Sequence, residues 1–408
     1  MLDQNKYSIT LFYGIPNEFI LNEDGSLATH RLDEMFEAGL NLITAWFSPE
    51  INKQVLDYCH AHGVKCTVED PRMSEAKKLG EGWEKIIEDI VNDYKDYPAL
   101  FSYYVMDEPN NANFPMLRKI SDKLLELDPS HEPYINLFPN YASPAQLGAP
   151  TYRDHVEDFI REVKPTLVSY DHYHFCKEAK IEEHEFDNER DRMIYENAFL
   201  ATNRAGFFDN IEQIRESSLN HGLPYMIIVL LVEHGSYRYL SEAELRWEVF
   251  QGLAYGCNVI SYFTYWTPFN ADDDVWHWKD AMISSDGKKC QHYYDVKKIN
   301  PELQKMGDAL LGHKSEAVFH IGECAENVKF FEGYAGIDKI DVPTATVGFF
   351  EGGMMVLANK DYTSCADVTF TTDKMLELFD KYTGEWKPLE DKKLTLAAGD
   401  GELLRIHP

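Results

Sequence analysis

Two textures of apolar and polar positions follow one another along the chain. In the first, short runs rich in β-branched and aromatic residues alternate with segments whose apolar residues recur every three to four positions. The runs are YSITLFYG (7–14), NLITAWF (41–47), VKCTV (64–68), LFSYYVM (100–106), PYINLF (133–138), TLVSYDHY (166–173), YMIIVLLV (225–232) and NVISYFTYW (258–266). Between them lie amphipathic stretches such as HRLDEMFEAGL, INKQVLDYCHAHG, MLRKISDKLLELD and FDNIEQIRESSLNHG, several ending in Gly. Ser241 and Glu244 form a capping-box pattern ahead of one of these helices. Eight strands, each followed by a helix, predict a (β/α)8 TIM barrel over 1–312, a closed barrel rather than an open sheet. The second texture begins near residue 313. Helical spacing stops, and VKFFEGY, TATVGFF, GMMVLANKD, ADVTFTT, MLELFD and KLTLAAGDGELLRIHP follow one another with EGG, TGEW and GDG as turns. These predict a small C-terminal antiparallel β-sandwich over 313–408.

In such a barrel catalysis belongs to the C-terminal ends of the strands, so the residues that end each apolar run carry the functional information. The fourth run ends in Asp107-Glu108-Pro109, and the seventh reaches Glu233. The second ends near Trp46, the fifth carries Asn136, the sixth closes on Asp171, His172 and Tyr173, and the eighth on Tyr265 and Trp266. Two glutamates on opposite sides of one barrel mouth suit glycoside hydrolysis. One protonates the departing oxygen; the other attacks the sugar or activates water. A separation of roughly 5–5.5 Å gives retention and roughly 6.5–9.5 Å inversion, a distance no sequence supplies. The stretch 262–278, YFTYWTPFNADDDVWHW, holds seven aromatic residues beside three aspartates, a composition that serves stacking on a pyranose face with acceptors for its hydroxyls. Trp266 and one of Trp276 or Trp278 are expected to line the cleft.

Charge narrows the ligand. With 69 acidic against 39 basic side chains, the net charge of −30 disfavours nucleic acid, anionic lipid surfaces and polyanionic substrates. The longest apolar run of interest, MIIVLLV, is too short for a membrane span. Seven scattered cysteines without a C-x-x-C pair argue against a disulfide framework and a thiolate zinc site. The start MLDQNKYSIT has no charged segment followed by an apolar one. The expectation is a cytoplasmic protein of a reducing compartment, or a secreted or periplasmic one whose leader has been removed. The densely charged insertion 177–197 reads either as a solvated helix face or as a rim over the site. No cofactor and no metal are implied, and oligomeric state stays open.

The D-E-P ending of strand four, a glutamate ending strand seven and the Y-F-T-Y-W ending of strand eight together resemble the retaining (β/α)8 glycosidase clan, with its family 42 β-galactosidases and family 5 glucanases. The C-terminal segment is similar to the β-sandwich appended to many of those enzymes. The resemblance implies hydrolysis of a neutral β-linked glycoside, with Glu108 as acid/base, Glu233 as nucleophile and Trp266 as an aromatic floor. Asp107 departs from the clan, which usually has Asn there to hold the sugar's 2-hydroxyl. A D-E strand ending also resembles hexosaminidases that use the substrate's own 2-acetamido group, Asp107 then orienting the amide. Two other classes compete: a non-catalytic sugar-binding barrel, and a metal-dependent barrel enzyme drawing on His60, His62, Glu69, Asp70, Asp171, His172 and His174. Asp107, Trp46, Asn136, Asp171, His172, Tyr173, Tyr265, Trp266 and Trp276 are the expected sugar contacts.

Overall fold

The computed structural model describes residues 5–177, 186, 188–190, 192, 203–269 and 276–407. Most of the charged insertion at 177–197 and the three aspartates 272–274 therefore lie outside the described residues. Eight parallel strands form the central sheet: β1 (Ser8–Leu11), β2 (Leu42–Ala45), β3 (Lys65–Val68), β4 (Leu100–Asp107), β5 (Glu132–Leu137), β6 (Val168–Asp171), β7 (Tyr225–Leu230) and β8 (Val259–Phe263). Their order, β1-β8-β7-β6-β5-β4-β3-β2, runs around a barrel whose seam falls between β1 and β2. Asn41 stitches that seam. Its backbone N–H donates to the Ile9 carbonyl at 3.1 Å, and its side chain accepts from the Ile9 N–H at 3.0 Å and donates to the Tyr7 carbonyl at 2.8 Å. Parallel strands buried on both faces read as continuous apolar runs, and β7 is buried at every position.

The helix Glu242–Tyr255 starts as its sequence predicts. The Ser241 hydroxyl accepts from the Glu244 N–H, and the Glu244 carboxylate accepts from the Ser241 N–H at 2.8 Å. Every residue from Glu244 to Tyr255 is buried, because the helix is clamped between the barrel and the C-terminal domain. That domain holds β9 (Ser315–Ile321), β10 (Ile337–Asp341), β11 (Ala345–Phe350), β12 (Met354–Asn359), β13 (Ala366–Thr372), β14 (Leu376–Asp380), β15 (Glu385–Pro388), β16 (Lys393–Leu396) and β17 (Gly401–Ile406). They form antiparallel sheets of three strands, β10-β13-β16, and six strands, β15-β14-β17-β12-β11-β9. Val347, Phe349, Met355, Leu357, Val368, Phe370 and Leu404 pack between them as a separate core.

Close backbone approach seats the sandwich on the barrel. A Cβ at Gly348 would stand 1.8 Å from the Ala254 carbonyl oxygen, and one at Gly399 1.9 Å from that of Ala243, so only glycine fits at either point. A buried ionic cluster spans the same junction. Arg246 pairs with Glu302 at 2.9 Å and Asp400 at 3.1 Å, while Lys381 pairs with Asp400 at 2.6 Å and Glu402 at 3.0 Å. Among the described residues no helix is long and apolar enough to cross a membrane.

Candidate active site

A cavity of about 260 Å³ opens at the C-terminal ends of the strands, lined by eleven residues: Phe12, Asp107, Glu108, Asn136, Asp171, Tyr173, Ile228, His234, Phe263, Trp276 and Trp278. It lies just under the roughly 300–1,000 Å³ usual for small-molecule sites, a size suited to one ring rather than a chain. Cavities of about 310 and 320 Å³ lie toward the N-terminal ends of the strands and have no carboxyl group in their walls.

Two backbone irregularities aim the fourth strand at this space. The pairing of β4 with β5 slips between Tyr104 and Met106, a bulge of the kind that re-aims the residues after it. Glu108 then adopts φ 43°, in the left-handed region. In a regular strand neighbours point to opposite faces, yet here Asp107 and Glu108 enter one cavity. The Glu108 N–H donates to the Asn136 carbonyl at 2.8 Å, which fixes the turn.

Asn136 is the hub. Its amide nitrogen donates to Asp107 Oδ1 and to Asp171 Oδ1, each at 3.0 Å, and its Oδ1 accepts from the Ser169 hydroxyl at 2.7 Å. Glu108 and Asp171 lie in the same cavity and act on each other at close range. Burial, then the neighbouring Asp171 and Asp107 charges, push Glu108 up to about 9. Burial followed by the Asp107 charge pushes Asp171 up to about 8. Asp107 is also raised by burial, against the pull of its bond from Asn136. It is the most accessible of the three, packed round by protein but open to the cavity. A carboxylic acid that keeps its proton at neutrality is what general-acid chemistry requires.

The walls are aromatic. Tyr173 stacks on Phe263 with centroids 5.5 Å apart, and His234 stacks on Trp278 at 4.2 Å. Trp276 stands 6.0 Å from Trp278, and Phe12 meets Tyr104 edge-on beneath them. His234 is 4% exposed, and burial lowers its pKa to about 3, so the ring is neutral. Its Nδ1 lies 2.9 Å from the Val232 carbonyl, which can only accept. Nδ1 therefore carries the proton and Nε2 a bare lone pair.

Glu108, Asp107, Asn136, Asp171, Tyr173 and Trp276 are thus brought together; the other expected residues are not. Glu233 precedes cavity-lining His234, but its carboxylate is held by Lys177 at 3.0 Å and Lys279 at 3.2 Å and forms no part of the cavity wall. Trp266 is 1% exposed, packed between Phe19 and the Arg31 guanidinium, so it is no floor for a sugar in this cavity. Tyr265 is fully buried, Trp46 packs on Tyr13 and donates to the Ile15 carbonyl, and His172 is buried against Asn210. Phe12, Ile228, His234 and Phe263 are lining residues absent from the sequence-derived set, and Trp278 joins Trp276 rather than replacing it.

The residues of the metal-dependent alternative are dispersed. Asp70 is bound by Arg72 and the Tyr94 hydroxyl, His62 is exposed on its helix, and His174 stacks on Trp247. No group of three or more His, Cys, Asp or Glu side chains among the described residues has the geometry to hold a metal ion.

No family model matches the sequence, and no curated protein matches it. Solved structures do share the fold. A glycoside hydrolase aligns over 98% of this chain and 92% of its own, with a TM-score of 0.60 at 10% identity. A family 5 glycoside hydrolase from Bacteroides vulgatus aligns over 98% of this chain and 89% of its own, with a TM-score of 0.57 at 9% identity. A β-galactosidase from the psychrophilic Marinomonas ef1 aligns over 75% of this chain, which spans 62% of that enzyme's length, with a TM-score of 0.50 at 10% identity. The (β/α)8 barrel with its appended β-sandwich is the fold of known glycoside hydrolases.

Proposed function

We propose that the protein is a glycoside hydrolase acting on a β-linked glycoside that carries no acidic group. The observation that carries this reading is Glu108, a carboxylic acid kept protonated at the end of β4 in an aromatic-walled cavity the size of a single sugar ring. Glu108 protonates the leaving-group oxygen, and Trp276, Trp278 and Tyr173 offer faces to the pyranose. Glu233 is the nucleophile of a retaining mechanism, and substrate must draw it from Lys177 and Lys279 towards the anomeric carbon. A specific observation favours a second reading. The carboxyl groups that share the cavity with Glu108 are Asp107 and Asp171, not Glu233. In a substrate-assisted reaction Asp107 orients a 2-acetamido group that itself attacks C1.

The test is product analysis by NMR on a panel of β-linked aryl glycosides and disaccharides, with Glu108→Gln and Glu233→Gln alongside. Under the two-glutamate reading both variants lose roughly 10²–10⁴-fold or more in kcat, and the first-formed product keeps the β configuration. Near-wild-type kcat in Glu233→Gln, with turnover confined to 2-acetamido substrates, selects the substrate-assisted route. No turnover of any glycoside refutes both.

A further inference from the structure

The polar lining of the cavity is rich in acceptors. Asp107 and Asp171 present carboxyl oxygens, and neutral His234 keeps an Nε2 lone pair that has no partner among the described residues. The one amide in the wall, Asn136, spends its nitrogen on the two aspartates. No Lys or Arg is among the described lining residues. Cations around the mouth have other partners: Lys177 and Lys279 hold Glu233, Lys77 holds the Val105 carbonyl beside the Glu69 charge, and Arg204 lies on the Tyr141 ring and donates to the Tyr237 hydroxyl. Besides burial, the neighbours that act on Asp107, Glu108 and Asp171 are other acids and hydrogen-bond donors. Three carboxyl groups and a bare imidazole nitrogen, ringed by Tyr173, Phe263, Trp276 and Trp278, form an enclosure whose described lining carries no positive charge. An ammonium group supplies that charge, pairing with a carboxylate and lying against aromatic faces.

Resting on the glycosidase reading, we infer that the sugar held in this cavity carries a free, protonated amine at C2, so that the substrates are 2-amino-2-deoxy-β-glycosides. The position follows from the chain. Glu108 must reach the oxygen on C1, and Asp107, adjacent in sequence and turned into the same space by the left-handed Glu108, faces the substituent on the neighbouring carbon. A 2-ammonium there donates to Asp107 and to the acceptors around it.

The experiment compares 4-nitrophenyl β-glycosides of the gluco and galacto series bearing a 2-amino, 2-hydroxy or 2-acetamido group. Rates are measured at pH 6, below the roughly 7.7–8.0 of an ordinary α-amino group. Binding of the methyl glycosides to the full-length Glu108→Gln protein is measured by calorimetry. The expected result is a preference of ~10-fold or more for the amine over the hydroxyl in kcat/KM and in binding, abolished in Asp107→Asn. Equal or weaker binding of the amine, preference for the 2-acetamido sugar, or a preference untouched by Asp107→Asn overturns the inference. The two readings fail separately. Turnover that favours the 2-hydroxy glycoside leaves a glycosidase without amine recognition, and amine-selective binding with no turnover leaves the recognition and removes the hydrolase.

Discussion

Replacing Asp171 with Asn tests the origin of the proton on Glu108. The two side chains share one cavity and each acts on the other, and a separation of roughly 4 Å between their charge centres sets the upper bound. At an effective dielectric constant of about 20 such a pair interacts by about 4 kcal/mol, a ceiling of about three pKa units. Burial, the first cause of the Glu108 elevation, survives the substitution, as does the Asp107 charge. The expected fall is therefore about one to two units, from about 9 to the range of about 7–8. The replacement amide adds to the same sign. With its Oδ1 accepting from Asn136 in place of the Asp171 oxygen, its NH2 points at Glu108 and stabilises the anion. Because the acid must be protonated, the alkaline limb of the kcat/KM profile moves down by that amount while the acidic limb keeps its place. Initial rates from pH 5 to 10 on any turned-over aryl glycoside measure the shift. The carboxyl ¹³C resonance of Glu108 in labelled protein reads the same titration without substrate. An alkaline limb that stays in place or moves up refutes the role given to Asp171.

Glu108 also makes stability depend on pH. The folded protein holds its proton up to about 9, whereas the unfolded chain releases it near the ordinary glutamate value of roughly 4.3. Between those values the folded state binds more protons, so stability falls as pH rises. Glu108→Gln should exceed the parent by on the order of a few kcal/mol at pH 9, the gap closing toward pH 4–5, as measured by Tm across that range. A gap that widens toward acid pH contradicts the assignment. At the domain junction, Lys381→Met leaves Glu402 without its cation and Asp400 with Arg246 alone; the lost partner is only 4% exposed, and the change should cost roughly 3–5 kcal/mol in urea denaturation. A loss below about 1 kcal/mol would mean the cluster contributes no more than a surface pair.

The barrel was legible because its strands are buried on both faces and its helices on one, so the two periods stand apart in the sequence. Much of the cavity wall was legible by alternation. Leu167, Ser169, Asp171 and Tyr173 share the inward parity of β6 and the residues flanking it, and His172, the one between, faces Asn210 instead. Met226 and Ile228 on β7, and Val259 and Phe263 on β8, follow the same rule, as does Phe12 two positions after Thr10. Counting inward parity from the strand interior would have selected Phe12, Ile228 and Phe263 and rejected His172. Parity stops where the strand stops. Glu233 lies three residues beyond Leu230 and Trp266 three beyond Phe263, and loop geometry decides where each points.

Strand β4 breaks the rule from within. Ser102 and Tyr134 line the barrel interior below the cavity, but the slip after Tyr104 shifts the inward parity, and the left-handed turn at Glu108 then suspends it. Nothing in FSYYVMDEPN announces either event, since neither residue at fault is glycine. A left-handed non-glycine residue costs roughly 1–2 kcal/mol, and three carboxyl groups crowded into one cavity add repulsion that no lysine or arginine of the described wall offsets. A packed core would shed such costs by placing an apolar residue at either position. Their coincidence on two consecutive acids is understandable only if the acids are used together on one bound molecule: Glu108 at the bond that breaks, and Asp107 on the group beside it.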